Sequence, residues 1–255
     1  MKKIQIAVIV VIGLFLFGCS GQESYTVPVA ESASETATSR HITSKATQQT
    51  LPPFDINLVS SDKIKIDYPI FPTYGVDVNK MIKTEALRPL EAYSLIGFHT
   101  LEEVNARLLM EASYEIKHET KDCISIAFSG LEYLEGSAYP VGMFYTVNID
   151  LVAVKKIRLA DRVVIDDNLM SALYRAAEKQ LTSSQYEYYI REDNYGDKGK
   201  LMLYLNSADA DGEGFENYRV FSYFTPNVVG IVLPIIHALG DYLIIEVPID
   251  EVSLR

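Results

Sequence analysis

Apolar and polar residues alternate along three consecutive stretches in the middle of the chain. These stretches run from Leu108 to Glu119, from Cys123 to Glu135 and from Val141 to Leu151, and Lys121-Asp122 forms a turn between the first two. Alternation with a period of two is typical of strands that bury one sheet face and expose the other. The pattern predicts three strands in an antiparallel meander, and a shift in its phase at Ser129-Gly130 predicts a β-bulge.

Further stretches have the length and composition of short strands. Phe54 to Ser60 and Lys63 to Phe71 lie on either side of a Ser-Asp turn and predict a hairpin. Three more candidates follow at Tyr218 to Phe224, Val228 to Leu233 and Tyr242 to Ile249.

Apolar residues also recur at helical spacing. Asp166 or Asp167 can cap a helix with one apolar stripe that continues to Leu181. A similar pattern from Ile82 to Tyr93 contains Pro89, which predicts a kink or a split. A short helix is expected around Leu101 to Val104, and the polar, tyrosine-rich region after Leu181 is interpreted as a loop. Together with the strands, these helices predict an α+β fold in which helices pack on a mainly antiparallel sheet.

The first residues have the pattern of a secretory signal. Lys2 and Lys3 precede an apolar run that ends in Leu16-Phe17-Gly18-Cys19, which resembles a bacterial lipobox. The run is shorter than the roughly 20 residues of a membrane-spanning helix, so we expect lipidation of Cys19 rather than an uncleaved anchor. Acyl chains on Cys19 would hold the protein at the bilayer. The predicted location is extracytoplasmic, at the outer face of the cytoplasmic membrane, or at the outer membrane if the host is diderm.

Composition changes again after this signal. Residues 21–50 are rich in Ser, Thr, Glu, Gln and Ala, which is typical of a flexible spacer. We therefore predict a signal peptide at 1–18 and a lipidated N-terminus with a linker at 19–53. Two α+β halves, at 54–152 and 153–255, are expected to pack as one unit.

The net charge and the cysteine content restrict the partners and the disulfide bonds that can be expected. The formal net charge is -11, whereas nucleic acids and anionic membranes are bound through basic surfaces. We therefore expect no nucleic-acid partner, and a cationic partner would be attracted. With Cys19 lipidated, Cys123 is the remaining cysteine, so no intramolecular disulfide is expected, and Cys123 is interpreted as a small buried hydrophobic residue.

Six short segments stand out by their order and spacing: Glu115 to Lys117, Cys123 to Gly130, Gly136 to Pro140, Asn148 to Leu151, Phe224 to Pro226 and His237 to Tyr242. They resemble a family of bacterial extracytoplasmic domains shared by the RsiV anti-sigma factor and the PdaC peptidoglycan deacetylase. The resemblance implies a module of antiparallel sheet and packed helices. Such a module binds lysozyme in RsiV and is an accessory to a separate catalytic domain in PdaC.

The same resemblance indicates candidate binding residues. The family turn usually reads Gly-Gly-Ala-His, whereas this chain has Ser137 and Tyr139 at the second and fourth positions. His237 and Asp241 fit the C-terminal pattern more closely. We therefore select Tyr139, His237 and Asp241, and we expect a free-standing module without a sigma-factor segment or a deacetylase domain.

A second candidate patch consists of Tyr186, Tyr188 and Tyr189, because tyrosine offers rigid amphipathic contact area for proteins and sugars. Packing in the core or at its rim is the alternative. We find no pattern for a catalytic nucleophile, a cofactor or a metal, and we predict none of them. The segment from Asp209 to Gly214 partly resembles a calcium loop, but Val220 stands where a bidentate glutamate is required, so it is interpreted as a solvated acidic loop.

These observations favour a lipid-anchored, non-catalytic binding module of the bacterial cell envelope. Its expected ligand is a cationic protein such as lysozyme, or cell-wall peptidoglycan. One alternative is an envelope hydrolase that uses paired carboxylates such as Glu132, Glu135 and Asp150. The other is a structural or assembly lipoprotein, which a broad hydrophobic surface would favour.

Overall fold

The three alternating stretches are neighbouring strands in a computed structural model of the chain, which describes residues 55–60, 63–94, 104, 106–211 and 219–255. They form β3 (Leu108–Glu119), β4 (Cys123–Leu134) and β5 (Val141–Asp150). Each is antiparallel to the next, which confirms the predicted meander.

Three more strands extend this meander into a six-stranded sheet with the order β1 to β6. β1 (Asp55–Ser60) and β2 (Ile64–Ile70) form the predicted antiparallel hairpin, and β6 (Lys155–Lys156) pairs with β5. β2 runs parallel to β3, a pairing that the sequence patterns did not predict. Parallel neighbours need a crossover connection, and helix α1 (Val76–Ser94) belongs to this one.

Helix α1 continues through Pro89, so the predicted split does not occur. Ile82 and Ala86 are fully buried on the helix face that packs on the sheet. The hydroxyl of Tyr145 on β5 donates a hydrogen bond of 2.8 Å to the carbonyl of Ala86. This packing holds the helix despite the backbone hydrogen bond that proline cannot donate. The short helix expected around Leu101 to Val104 lies mostly outside the described residues.

The bulge predicted at Ser129-Gly130 is wrong. β4 keeps an unbroken register with both neighbours there, and the register shift lies in β3 between Ile116 and His118. The alternation of β4 changes because residues 124–128 are buried on both sheet faces. Gly130 has a different role, since a Cβ at this position would lie 1.9 Å from the backbone oxygen of Glu111.

The described part of the C-terminal half contains four α-helices and a second sheet. The helices are α2 (Leu159–Arg162), α3 (Asp167–Gln180), α4 (Ser183–Ile190) and α5 (Lys198–Asn206). The predicted cap of α3 is confirmed, because the side chain of Asp166 accepts a hydrogen bond from the backbone N–H of Leu169. The antiparallel sheet consists of β7 (Phe221–Phe224), β8 (Val228–Pro234) and β9 (Tyr242–Pro248).

The tyrosine-rich region interpreted as a loop is largely helical. Thr182 and Gln185 form a capping box at the start of α4, and Asp197 caps α5. Both helices are short, with eight and nine residues, and therefore gave little periodic signal. Their caps were the detectable signal in the sequence.

The described residues form two apolar clusters. The first joins α1 to the six-stranded sheet and includes Phe221 and Tyr223 of β7. The second joins α3 to the opposite face of the three-stranded sheet, through residues such as Leu173 and Ile245. These layers confirm the α+β fold class. The described residues between 55 and 255 belong to one compact unit, and Cys123 is half-buried against the second cluster.

Five buried polar side chains connect the two sheets, and we call them the polar seam: Ser125, Thr146, Asn148, Asp209 and Ser222. Thr146 and Asn148 on β5 donate hydrogen bonds of 2.6 and 2.9 Å to the backbone oxygen of Ser222 on β7. The hydroxyl of Ser125 on β4 accepts one of 3.1 Å from the backbone N–H of Phe224. Side chains on the face of the six-stranded sheet thus form hydrogen bonds with backbone groups at the β7 edge of the three-stranded sheet, which have no strand partner there among the described residues.

The described part of the chain has no helix that is both long enough and apolar enough to cross a bilayer. The predicted signal peptide, Cys19 and nearly all of the predicted linker lie outside the described residues. Lipidation, tethering and extracytoplasmic location therefore stay predictions.

Candidate binding groove

Two hairpin turns, one from each sheet, meet at one end of the molecule. Tyr139 lies in the turn between β4 and β5. His237 begins a single 3-10 turn, His237–Leu239, between β8 and β9. This turn ends because Gly240 and Asp241 adopt positive φ angles of 111° and 69°, a conformation that glycine adopts freely and aspartate tolerates.

The contact between the turns is an aromatic stack. The rings of Tyr139 and His237 lie 3.8 Å apart between centroids and are nearly parallel, with an interplanar angle of 6°. Tyr139 is 47% exposed and the His237 side chain 40% exposed. The stack therefore joins the two sheets while solvent still reaches both rings.

Asp241 positions the His237 ring of this stack. Its Oδ1 lies 2.9 Å from Nδ1 of His237, and its Oδ2 accepts a 2.7 Å hydrogen bond from the backbone N–H of Gly142 on β5. A carboxylate can only accept, so Nδ1 carries the proton in this bond. In the neutral imidazole, Nε2 is then left as an acceptor.

An open groove of about 410 Å³ surrounds the stack. Its walls come from the β4–β5 turn, β5, α4, the end of β8 and the β8–β9 connection: Tyr139, Val141, Tyr188, Pro234, Ile235, Ile236, His237 and Asp241. The structure thus brings the three residues selected from the resemblance together with Tyr188. The sequence interpretation did not include Val141 or the Pro234-Ile235-Ile236 segment, because their contribution depends on the packing of the two sheets.

The groove is acidic. Asp241 contributes a carboxylate, and neither lysine nor arginine is among the described residues that line it. Burial raises the pKa of neighbouring Glu132, and the charge of Asp241 raises it further against the opposing effect of a hydrogen bond from Tyr93. A smaller depression beyond Tyr188 contains Lys200, whose Nζ donates to the backbone oxygen of Asp193.

The tyrosine patch is not a continuous surface. Tyr189 is fully buried and contacts the rings of Tyr174, Tyr186 and Tyr195, so burial excludes it from surface contact. Tyr186 is half-buried and packs against the same cluster, away from the groove lining. Tyr188 is the member that lines the groove. The one-residue offset between Tyr188 and Tyr189 on α4 directs them to different surroundings.

The carboxylates considered for a hydrolase do not converge. Glu132 and Asp150 lie at opposite ends of the paired strands, because Glu132 pairs with Val141 whereas Asp150 pairs with Cys123. Glu132 is buried and accepts a hydrogen bond from Tyr93, whereas Asp150 caps a turn through the backbone N–H groups of Val152 and Ala153. Glu135 is exposed. This set provides no paired-carboxylate cleft.

The described end of the calcium-like segment is occupied by internal contacts. Asp209 belongs to the polar seam, and Asp211 forms ion pairs with Arg88 and Lys156. The described residues contain no group of three or more His, Cys, Asp or Glu side chains that could hold a metal ion. The predicted lack of a cofactor stays a prediction.

Comparison with known proteins gives structural neighbours only. No protein-family model matches the chain, and no curated protein matches it. A solved DUF3298 family member from Bacteroides fragilis NCTC 9343 is 15% identical with a TM-score of 0.49, over 80% of this chain and 93% of that chain. A DUF3298 family protein from Pseudomonas aeruginosa PAO1 is 10% identical with a TM-score of 0.46, over 80% of this chain and 92% of that chain. DUF3298 is a domain of unknown function, so these neighbours indicate neither a ligand nor an activity for this chain.

Proposed function

We propose that this chain is a non-catalytic binding module of the bacterial cell envelope, anchored to the bilayer through acylated Cys19. Its ligand is a cationic protein such as lysozyme, and its binding site is the groove around Tyr139, His237 and Asp241. The runner-up ligand is cell-wall peptidoglycan.

The observation that carries this proposal is the exposed aromatic stack beside a carboxylate. An unfilled concave surface with apolar walls and a few convergent polar groups is the usual form of a binding site. Exposed tyrosine is favourable in such sites because little side-chain entropy is lost on binding. The net charge of -11 would attract a cationic protein over a distance.

The sequence resemblance supports the same function. It covers the turn that carries Tyr139 and the segment from His237 to Asp241, which are the two sides of the stack. The hydrolase alternative has less support, because Glu132 and Asp150 lie far apart along the strands.

Capture by the purified full chain tests the proposal. The chain is immobilised in detergent and offered lysozyme and insoluble peptidoglycan in separate experiments at physiological salt. We expect lysozyme to be retained, and Tyr139→Ala to reduce its retention about tenfold. Tyr204→Ala is the matched control, since Tyr204 is a similarly exposed tyrosine on α5 and its loss should leave retention unchanged.

Three results would contradict the proposal in different ways. Failure to retain either material removes the envelope-binding function. Retention that is equally sensitive to the Tyr139 and Tyr204 substitutions removes the groove as its site. Retention of peptidoglycan alone rejects the cationic protein in favour of the runner-up.

A further inference from the structure

The chemistry of the groove defines a more specific ligand. We propose that the groove accepts an arginine side chain of the partner, whose guanidinium stacks on the Tyr139–His237 pair and neutralises Asp241. This inference rests on the proposed function, since it assigns a chemical class to the ligand of the same groove.

Charge is the first argument. The described residues provide Asp241 with one counter-charge, the imidazole of His237, which is charged only when it is protonated. The Asp241 side chain is 12% exposed, so water screens it poorly and a cation from outside gains more than at an open surface. The described lining offers an anionic ligand neither lysine nor arginine.

The hydrogen-bonding groups give the second argument. Nε2 of His237 and the hydroxyl oxygens of Tyr139 and Tyr188 have no partner among the described residues. All three can accept hydrogen bonds, and guanidinium provides five N–H donors and no acceptor. Asp241 uses one oxygen on His237 and the other on Gly142, and each oxygen keeps a second lone pair that can accept an N–H donor of the ligand.

The shape of the walls gives the third argument. The rings of Tyr139 and His237 cover each other on one face and are otherwise partly exposed. A planar guanidinium stacks on an exposed aromatic face more effectively than a compact ammonium. Val141, Ile235 and Ile236 provide apolar surface beside the rings. The methylene stem of arginine can cover such surface while its head remains near the carboxylate.

A peptide pair tests this inference without the natural partner. The full chain is titrated with hexa-arginine and with hexa-citrulline, which keeps the shape of arginine but lacks its charge, in buffer of about 0.15 M ionic strength. Binding is followed by calorimetry. We expect hexa-arginine to bind measurably and hexa-citrulline at least about tenfold more weakly.

Substitutions then distinguish binding in the groove from attraction by the overall negative charge of the protein. Tyr139→Ala removes the stacking face, and Asp241→Asn removes the charge while keeping a residue type that tolerates positive φ. Each should weaken hexa-arginine about tenfold. Asp122→Asn changes the net charge equally at an exposed position outside the groove and should have no comparable effect. Thermal unfolding of each variant checks the fold. If Asp241→Asn proves unstable, the result for Tyr139→Ala alone decides the test.

The outcomes distinguish this inference from the proposed function. Equal binding of the two peptides, or equal weakening by Asp122→Asn and Asp241→Asn, overturns the arginine assignment. If lysozyme or peptidoglycan is nevertheless retained in a Tyr139-dependent way, the binding function stands and only its ligand class is wrong. If neither is retained but hexa-arginine binds in the groove, the cation site stands and the envelope function falls.

Discussion

Two aspartates connect the two sheets, and they do so in different surroundings. Asp209 and Asp241 both have positive φ angles, of 60° and 69°. Asp209 accepts hydrogen bonds from the Thr146 hydroxyl on β5 and from Ser222 on β7, and Asp241 in the β8–β9 connection accepts one from the backbone N–H of Gly142 on β5. Asp209 is nearly inaccessible in the polar seam, whereas Asp241 lies at the floor of an open groove. The same residue type in the same backbone conformation therefore has one structural position and one position that a ligand can reach.

The hydrogen bonds of the two carboxylates show the difference in detail. Asp209 Oδ1 accepts from the backbone N–H of Ser222 at 2.7 Å, while its Oδ2 accepts from the Ser222 hydroxyl at 2.5 Å and the backbone N–H of Leu159 at 3.0 Å. Every partner of Asp209 is buried with it. Asp241 instead contacts an imidazole whose side chain is partly exposed to solvent. The polar seam is therefore closed to solvent, whereas the groove remains accessible to it.

The largest expected effect is the loss of the Asp209 side chain. Asp209→Ala leaves the backbone N–H groups of Ser222 and Leu159 buried without an acceptor, which should lower the free energy of unfolding by about 4 kcal/mol. Asp241→Ala should cost about 1–2 kcal/mol, because water can replace the carboxylate at Gly142. Urea unfolding of the two variants measures both values. Equal losses would show that the two aspartates do not differ as burial implies.

The pKa of Asp209 gives a second prediction about the buried aspartate. Burial raises the pKa of Asp209 to about 6, although its hydrogen bonds to Ser222 and Leu159 act in the opposite direction. The folded state then binds the proton more tightly than the unfolded state, whose aspartate pKa is about 4. This group therefore contributes stability at low pH and loses that contribution as pH rises through about 6. The full effect is about 3 kcal/mol.

The measurement compares the unfolding free energy of the native chain with that of Asp209→Asn from pH 7 to pH 4.5. Other groups titrate in both proteins and cancel in the difference. We expect the native chain to gain about 2 kcal/mol relative to the variant on acidification over this range. A difference that stays flat or falls would mean that the hydrogen bonds, rather than burial, determine the pKa of Asp209.

The sequence predicted the meander, its hairpin and the Asp166 cap because each depends on residues close together in the chain. It did not predict the parallel pairing of β2 with β3, which depends on residues about 46 positions apart, such as Lys65 and Glu111. The change in the alternation of β4 was interpreted as a bulge, although it comes from burial of the strand on both faces. The second sheet that covers this strand cannot be inferred from its own alternation.

The candidate groove shows a similar limit. Tyr139, His237 and Asp241 were selected through the family resemblance, while the Gly142 contact with Asp241 joins residues 99 positions apart. Neither Val141 nor Ile236 carries any local pattern that distinguishes a groove wall from a strand end. The burial of Tyr189 and the accessibility of Tyr188 depend on which side of α4 packs on the core, and one short helix gives too few turns to decide it.

A smaller loss of stability is expected from Ser125→Ala in the polar seam. The Ser125 hydroxyl donates to Asn148 at 2.6 Å and accepts from the backbone N–H of Phe224 at 3.1 Å. Its removal leaves that buried N–H unsatisfied, and we expect a cost of about 1–2 kcal/mol. Ser129→Ala is the control on the same strand, at a half-buried position, and should cost less. If urea unfolding gives the same value for both, Phe224 does not depend on the Ser125 hydroxyl.

The smallest stability effect should come from Tyr139→Ala in the groove. Tyr139 is 47% exposed and its described contact is the stack on His237, so its truncation should lower the free energy of unfolding by less than about 1 kcal/mol. The same substitution is expected to weaken ligand binding about tenfold. Thermal or urea unfolding, measured beside lysozyme retention, tests both statements on one sample. A large stability loss would contradict the small effect expected of a partly exposed ring and would show that the stack on His237 contributes to the stability of the fold as much as the polar seam does.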